Sequence, residues 1–362
     1  MSDKVKVLVV DDSLMARKYL SKILEGSGKV EVIGTAVNGL EALEKVKLLK
    51  PDVVTLDIEM PKMNGLEALE KIMKECPVPV IMISTLTRDG AHETLKALHL
   101  GAVDYISKND VLSLKSAQSG ARDIFVEKVV SAKHSSFSGK RTSDQKVVSE
   151  KEKFKMREAH PVKRRERKLQ KENIKLLAIA SSTGGPIALE KLFSKLPKLN
   201  IPVLIVQHMP KAFTGVFANS LDKISSMHVK EAEDGEELKA NVCYLAPGGL
   251  QMTISKVAVG KYRIKISDKP KTIYTPNANI TFESAANEIK NNLLSVIMTG
   301  MGDDGYKGLQ VVNKNGGIII AQSKGSCVVW GMPKKPTESG IADFVVDLNE
   351  IHSYISKIVL GR

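Results

Sequence analysis

A chain of 362 residues, 43% hydrophobic and 26% charged, is long enough for two ordinary domains, and its composition is not that of a disordered protein. No apolar run approaches the roughly 20 residues a membrane span needs, and Asp11 and Asp12 directly follow the first apolar run, which is not the pattern of a secretory signal. The net charge of +13 invites a nucleic-acid reading, but residues 151–171 alone hold ten Lys/Arg against three Glu, with one Phe as their only aromatic, so they offer bases no stacking platform.

The first 130 residues alternate short β-branched runs with amphipathic stretches. Strands are predicted at 5–10, 30–36, 53–57, 78–84 and 103–107, with helical patterns such as "GLEALEKVKLL" and "GLEALEKIMKE" between them. Near-continuously apolar strands that alternate with helices imply a parallel sheet covered on both faces. Five such units make a doubly wound α/β domain, whose site lies beyond the carboxyl ends of the strands. Apolar periodicity then fades, and 131–172 reads as a charged linker, helical in part of its second half.

From residue 173 the alternation resumes. "IKLLAIA" is followed by a helix from Gly185, "IPVLIVQH" by a helix near 213–225, and then a β-rich patch covers 228–267 with a hairpin in "KVAVGKYRIKIS". A helix near 279–292, the strand "LLSVIMT", another helix, "GIIIAQ" and a terminal strand and helix complete a second, larger α/β domain. Cys76, Cys243 and Cys327 are too far apart in sequence for a disulfide framework or metal-ligand spacing, which suits a reducing cytoplasm. Cys327 reads as an idle thiol rather than a nucleophile.

In the first domain Asp11 and Asp12 end one predicted strand, Asp57 the third and Ser84 the fourth, and Lys108 lies just past the fifth. All converge on one rim of the sheet. Three carboxylates repel one another unless a cation lies among them, and oxygen ligands at that density suit Mg²⁺. With a lysine and a hydroxyl beside them, they form a constellation for phosphoryl transfer onto an aspartate. A purely structural carboxylate cluster is the alternative. The blocks "VVDDS", "LDIEMPKMNG", "IMIS" and "DYISK" resemble the response-regulator receiver domain over about 120 residues. That resemblance implies Asp57 as phosphoacceptor, Asp11 and Asp12 with it as metal ligands, Ser84 and Lys108 as the switch pair, and Tyr105 as the aromatic switch. Asn109 stands where that family usually has proline.

In the second domain "LLAIASSTGGP" puts Ser182 on a strand-to-helix turn, where amide groups and the helix dipole favour negative charge. A nucleophile there is exposed at the rim, although Ser181 and Ser182 also suit plain helix capping. "LIVQHMP" brings His208 to the same rim, as a base for the serine proton or as a satisfied polar group. "MTGMGDDGYKG" spells G-x-G-x-x-G at Gly300, Gly302 and Gly305. A dinucleotide site would want an acidic residue ending the next strand, yet that strand ends in Gln322, Ser323 and Lys324. The glycines therefore read as allowing tight turns that hold Asp304 towards the histidine, with the Met301 amide as an oxyanion donor and Asp303 capping or solvated.

"ASSTGGP", "VQHMP", "YLAPGG" and "TGMGDDG" resemble the catalytic domain of the chemotaxis receptor methylesterase, a family in which a receiver precedes such a domain. The resemblance implies Ser182 as nucleophile, His208 as general base, Asp304 as its orienting partner, Thr183 as a positioning group and Met301 as oxyanion donor. Ala180 and Ser181 replace that family's usual Gly-Ala, and the linker is unusually long and basic. The expectation is two doubly wound parallel-sheet domains, a flavodoxin-like receiver and a larger serine esterase domain with a β-hairpin, spanning 1–130 and 173–362. The family implies demethylation of glutamate γ-methyl esters, and deamidation of glutamines, on methyl-accepting chemotaxis receptors. It also implies a chemotaxis histidine kinase as phosphodonor, Mg²⁺ in the receiver and no cofactor in the esterase site. Neither nucleic acid nor membrane insertion is expected. A DNA-binding regulator and a nucleotide-dependent oxidoreductase are the competing classes. The first lacks a helix-turn-helix pattern and the second lacks the ribose-binding acid.

Overall fold

The computed structural model describes residues 4–85, 87–112, 120–135 and 168–362. Most of the expected linker therefore lies outside the described residues. In the N-terminal domain β1 (Val5–Val10), α1 (Leu14–Gly26), β2 (Val30–Ala36), α2 (Gly39–Leu49), β3 (Val53–Asp57), α3 (Gly65–Glu75), β4 (Val80–Ser84), α4 (Arg88–His99), β5 (Asp104–Ser107), α5 (Lys108–Leu112) and α6 (Ala121–Lys133) alternate along the chain. The strands pair in parallel in the order β2-β1-β3-β4-β5. Strands β3 and β4 are buried at every position, as expected of a sheet covered on both faces. The strand order reverses between β1 and β3, so the crevice at their carboxyl ends lies between Asp11 and Asp57.

The C-terminal domain contains β6 (Leu176–Ser181), α7 (Gly185–Phe193), β7 (Val203–Gln207), α8 (Lys211–Ile224), β8 (His228–Glu231), β9 (Val242–Leu245), β10 (Gln251–Ala258), β11 (Lys261–Ser267), α9 (Ala278–Ile289), β12 (Leu293–Ile297), α10 (Tyr306–Lys314), β13 (Ile318–Gln322), α11 (Lys334–Glu338), β14 (Phe344–Val346) and α12 (Leu348–Leu360). Seven strands form one sheet in the order β14-β13-β12-β6-β7-β9-β8, all in parallel. The β-rich patch divides in two. Strands β8 and β9 extend the main sheet, while β10 and β11 pair only with each other as an antiparallel hairpin. The chain leaves β6 towards β7 on one side and returns through β12 on the other, so the switch point falls at the carboxyl end of β6, next to Ser182.

The two domains share one apolar cluster, which runs from Leu95 and Leu98 of α4 to Phe213 and Phe217 of α8. Tyr105 of β5 stacks on Phe213 with ring centroids 5.0 Å apart, and His99 of α4 lies 2.6 Å from Glu190 of α7. Among the described residues, no helix is long and apolar enough to cross a membrane.

Candidate active site

Strands β6 and β7 pair with Ser181 beside Gln207. The next residue on each is Ser182 or His208, so the parallel register sets hydroxyl and imidazole residues side by side at the sheet edge. Buried Gln207 ties the turn together, accepting from Ser181 Oγ at 2.7 Å and donating to the Ser182 carbonyl at 3.0 Å. The Ser182 amide donates to Thr299 at 3.0 Å, and the Gly185 amide donates to the Ser182 carbonyl at 2.7 Å.

Asp304 completes the group from the loop after β12. Its Oδ2 lies 2.8 Å from His208 Nε2 and accepts the Ala278 amide at 2.7 Å. Its Oδ1 accepts the Gly305 amide at 2.9 Å, the Asn279 amide at 3.2 Å and Asn279 Nδ2 at 2.6 Å. Burial works to raise its pKa, but the His208 bond and the amides at the start of α9 outweigh that and hold it below the usual carboxylate range. Gly302 and Gly305 take φ of 74° and 95°, left-handed turns on either side of Asp303 and Asp304. Gly300 allows close approach instead: an added Cβ would lie 2.9 Å from Ser182 Cβ. The glycine pattern thus holds an aspartate on the histidine.

With Nε2 engaged by Asp304, the other ring nitrogen of His208, Nδ1, is buried without a hydrogen-bond partner among the described residues. Ser182, His208 and Met301 line one cleft of about 370 Å³, closed from the other side by Tyr105 and Lys128 of the N-terminal domain. Thr183 faces that domain too. Its hydroxyl donates to Oδ2 of Asp104, which also pairs with Lys128 at 2.9 Å.

At the N-terminal rim, ligand oxygens of Asp11, Asp12 and Asp57 lie within 4.8 Å of one another. Lys108 is 2.8 Å from both Asp11 and Asp57. Burial, partly offset by the Lys108 bond, and the charges of Asp11 and Asp12 push Asp57 up to about 6. Burial alone would lower the Lys108 pKa, but the two aspartates raise it. Three oxygen donors whose negative charge exceeds what one lysine offsets fit a divalent cation. Among the described residues Ser84 makes no hydrogen bond to these carboxylates; its hydroxyl accepts from Thr94 Oγ1 at 2.7 Å and donates towards the Gly90 carbonyl at 3.3 Å. Tyr105 is buried and stacks on Phe213.

Residues 177–355 match the family model described as CheB methylesterase, and residues 7–117 match the response regulator receiver domain. A protein-glutamate methylesterase/protein-glutamine glutaminase of Lawsonia intracellularis is 44% identical over 356 residues, covering 96% of this chain and 97% of that protein. The chain belongs to this methylesterase/glutaminase family. A relative with the same name in Halalkalibacterium halodurans is 41% identical, with 97% of each chain covered. Among solved structures, the catalytic domain of Thermotoga maritima CheB methylesterase is 41% identical over 50% of this chain and 97% of its own, with a TM-score of 0.48.

Sequence reading missed Tyr274, whose ring stacks on His208 with centroids 4.5 Å apart and planes 3° apart. It lies in an irregular segment with no period to flag it. Asp104 was missed as well, because nothing local separates a docking carboxylate from a strand end. Asn279 was legible only as a polar residue in the first turn of a helix.

Proposed function

We propose that this chain is a serine hydrolase, with residues 1–130 as its regulatory domain and 173–362 as its catalytic domain. It demethylates glutamate γ-methyl esters and deamidates glutamines on chemotaxis receptors when Asp57 is phosphorylated by a chemotaxis histidine kinase. The observation that carries the reading is the 2.8 Å His208–Asp304 pair beside Ser182 in a single cleft.

Ser182 Oγ attacks the ester carbonyl while His208 Nδ1 takes its proton, and Asp304 stabilises the imidazolium that forms. The Met301 amide donates to the oxyanion. The imidazolium then returns the proton to the departing methoxide, which leaves as methanol. Water attacks the acyl-enzyme, with its proton taken by His208 and passed back to Ser182 as the glutamate carboxylate departs. A glutamine follows the same course and loses ammonia.

Asp11, Asp12 and Asp57 would hold a divalent cation such as Mg²⁺, which when bound would supply positive charge against the transferred phosphoryl group. Lys108 then exchanges a carboxylate for a phosphoryl oxygen, which alters the rim that carries Ser84 and Tyr105. Tyr105 and Asp104 belong to the docked face, so phosphorylation shifts the population from docked to separated domains. Ser182→Ala should abolish methanol release from methylated receptor membranes and leave Asp57 phosphorylation intact. Persistent release would remove Ser182 as nucleophile.

A further inference from the structure

His208 is gripped on its edge by Asp304 and on its face by Tyr274. The two supports share one stretch of chain, because the amides of Ala278 and Asn279, just after Tyr274, hold the Asp304 carboxylate. That stretch is braced by Gln251, a side chain buried at 1% exposure. Gln251 Nε2 donates to the Pro270 carbonyl at 3.1 Å and to Thr272 Oγ1 at 2.9 Å, and its Oε1 accepts the Asn277 amide at 2.9 Å. The tyrosine therefore stands on a segment tied at both ends. Burial, and then the charges of Glu127, Asp304 and Asp303, push its hydroxyl up to about 12, so the ring stays a neutral phenol.

We infer that Tyr274 is a positioning residue for the reaction, its ring face fixing the plane of His208 and favouring the imidazolium that forms as Ser182 gives up its proton. A cation over an aromatic face is stabilised by the ring quadrupole, and a neutral imidazole gains much less. The contact is therefore stronger in the transition state than before it, and its loss falls on kcat rather than on KM. This inference rests on the serine hydrolase reading.

The test is methanol release from methylated receptor membranes, with phosphodonor, by the full-length protein and three variants. Tyr274→Leu keeps an apolar side chain but loses the ring. It should lower kcat by roughly two- to thirty-fold with KM unchanged. Tyr274→Phe keeps the ring and should stay within about twofold of wild type, since only the hydroxyl is lost. Ser182→Ala should be inactive. Thermal melts of all variants separate misfolding from lost alignment. Leu and Phe variants equal to wild type would overturn the role of the ring. So would a Phe variant as impaired as the Leu one, because the hydroxyl would then be the working group. Activity retained by Ser182→Ala would remove the serine mechanism and this inference with it.

Discussion

Asp104 of the receiver accepts a hydrogen bond from Thr183, the residue that follows Ser182. The contact is buried at both ends and joins a strand of one domain to the turn that carries Ser182 in the other. A hydrogen bond to a charged group contributes about 1.5–3 kcal/mol. Asp104→Ala should therefore shift the docked-to-open ratio by about ten- to hundred-fold. Basal methanol release without phosphodonor should rise accordingly, while the stimulated rate stays near wild type. An unchanged basal rate would show that this bond does not hold the domains closed.

Asp304→Asn should keep the shape of the site while losing the charge that sets the histidine tautomer. A fall in kcat on the order of 10⁴ is expected from that cause in a serine triad. The same change should leave a stability signature. The native pKa of Asp304 is depressed, so its contribution is present above the unfolded value of about 3.9 and is lost as pH falls through the lower native value. Urea melts should find the variant weaker at neutral pH, with the gap closing in acid. A gap independent of pH would contradict the ionised aspartate.

Asp57 has the opposite sign. Its native pKa is about 6, above the unfolded value of about 3.9. The native state holds the extra proton between those values, so stability falls as pH rises across that window. Asp57→Asn should raise the melting temperature above about pH 6, in chelator, with no gain below about pH 4. Mg²⁺ at neutral pH should raise the wild-type midpoint and leave the variant almost unmoved. Equal gains at both pH values would rule out charge as the cause.

Gly300→Ala tests the close approach behind Ser182, the proposed nucleophile. The new methyl would lie 2.3 Å from Met332 Sδ, 2.9 Å from Ser182 Cβ and 3.0 Å from the Ser182 amide. Met332 can swing aside, but the serine turn has to shift. A misplacement of about 1 Å costs on the order of 10² in rate. Esterase activity should fall by that order while phosphorylation of Asp57 proceeds normally. An active variant would mean that the turn tolerates the displacement.

The rim residues were legible because a parallel sheet delivers the last residue of every strand to one edge. Short apolar runs that end in Asp11, Asp57, Ser182 or His208 therefore announce a site without any coordinates. The parallel sheets and the hairpin turn were legible, but nothing local assigns β8 and β9 to the main sheet rather than to the β-rich patch around that hairpin. Rotamers were not legible either. Ser84 stands at the expected strand end, yet Thr94 and Gly90 turn its hydroxyl towards α4. Tyr274 stacks on His208 and Asp104 accepts from Thr183, contacts between segments distant in sequence that no local pattern encodes.

The narrow cleft between the domains has a consequence for access. At about 370 Å³ it has space for side chains and small molecules, whereas an α-helix with its side chains is some 10–12 Å across. Rotating a few gatekeeping side chains cannot admit a receptor helix. On the proposed function a whole face would have to detach, stacked rings, the His99–Glu190 pair and shared apolar cluster together, so release from bulky esters should depend on phosphorylation more than release from small ones.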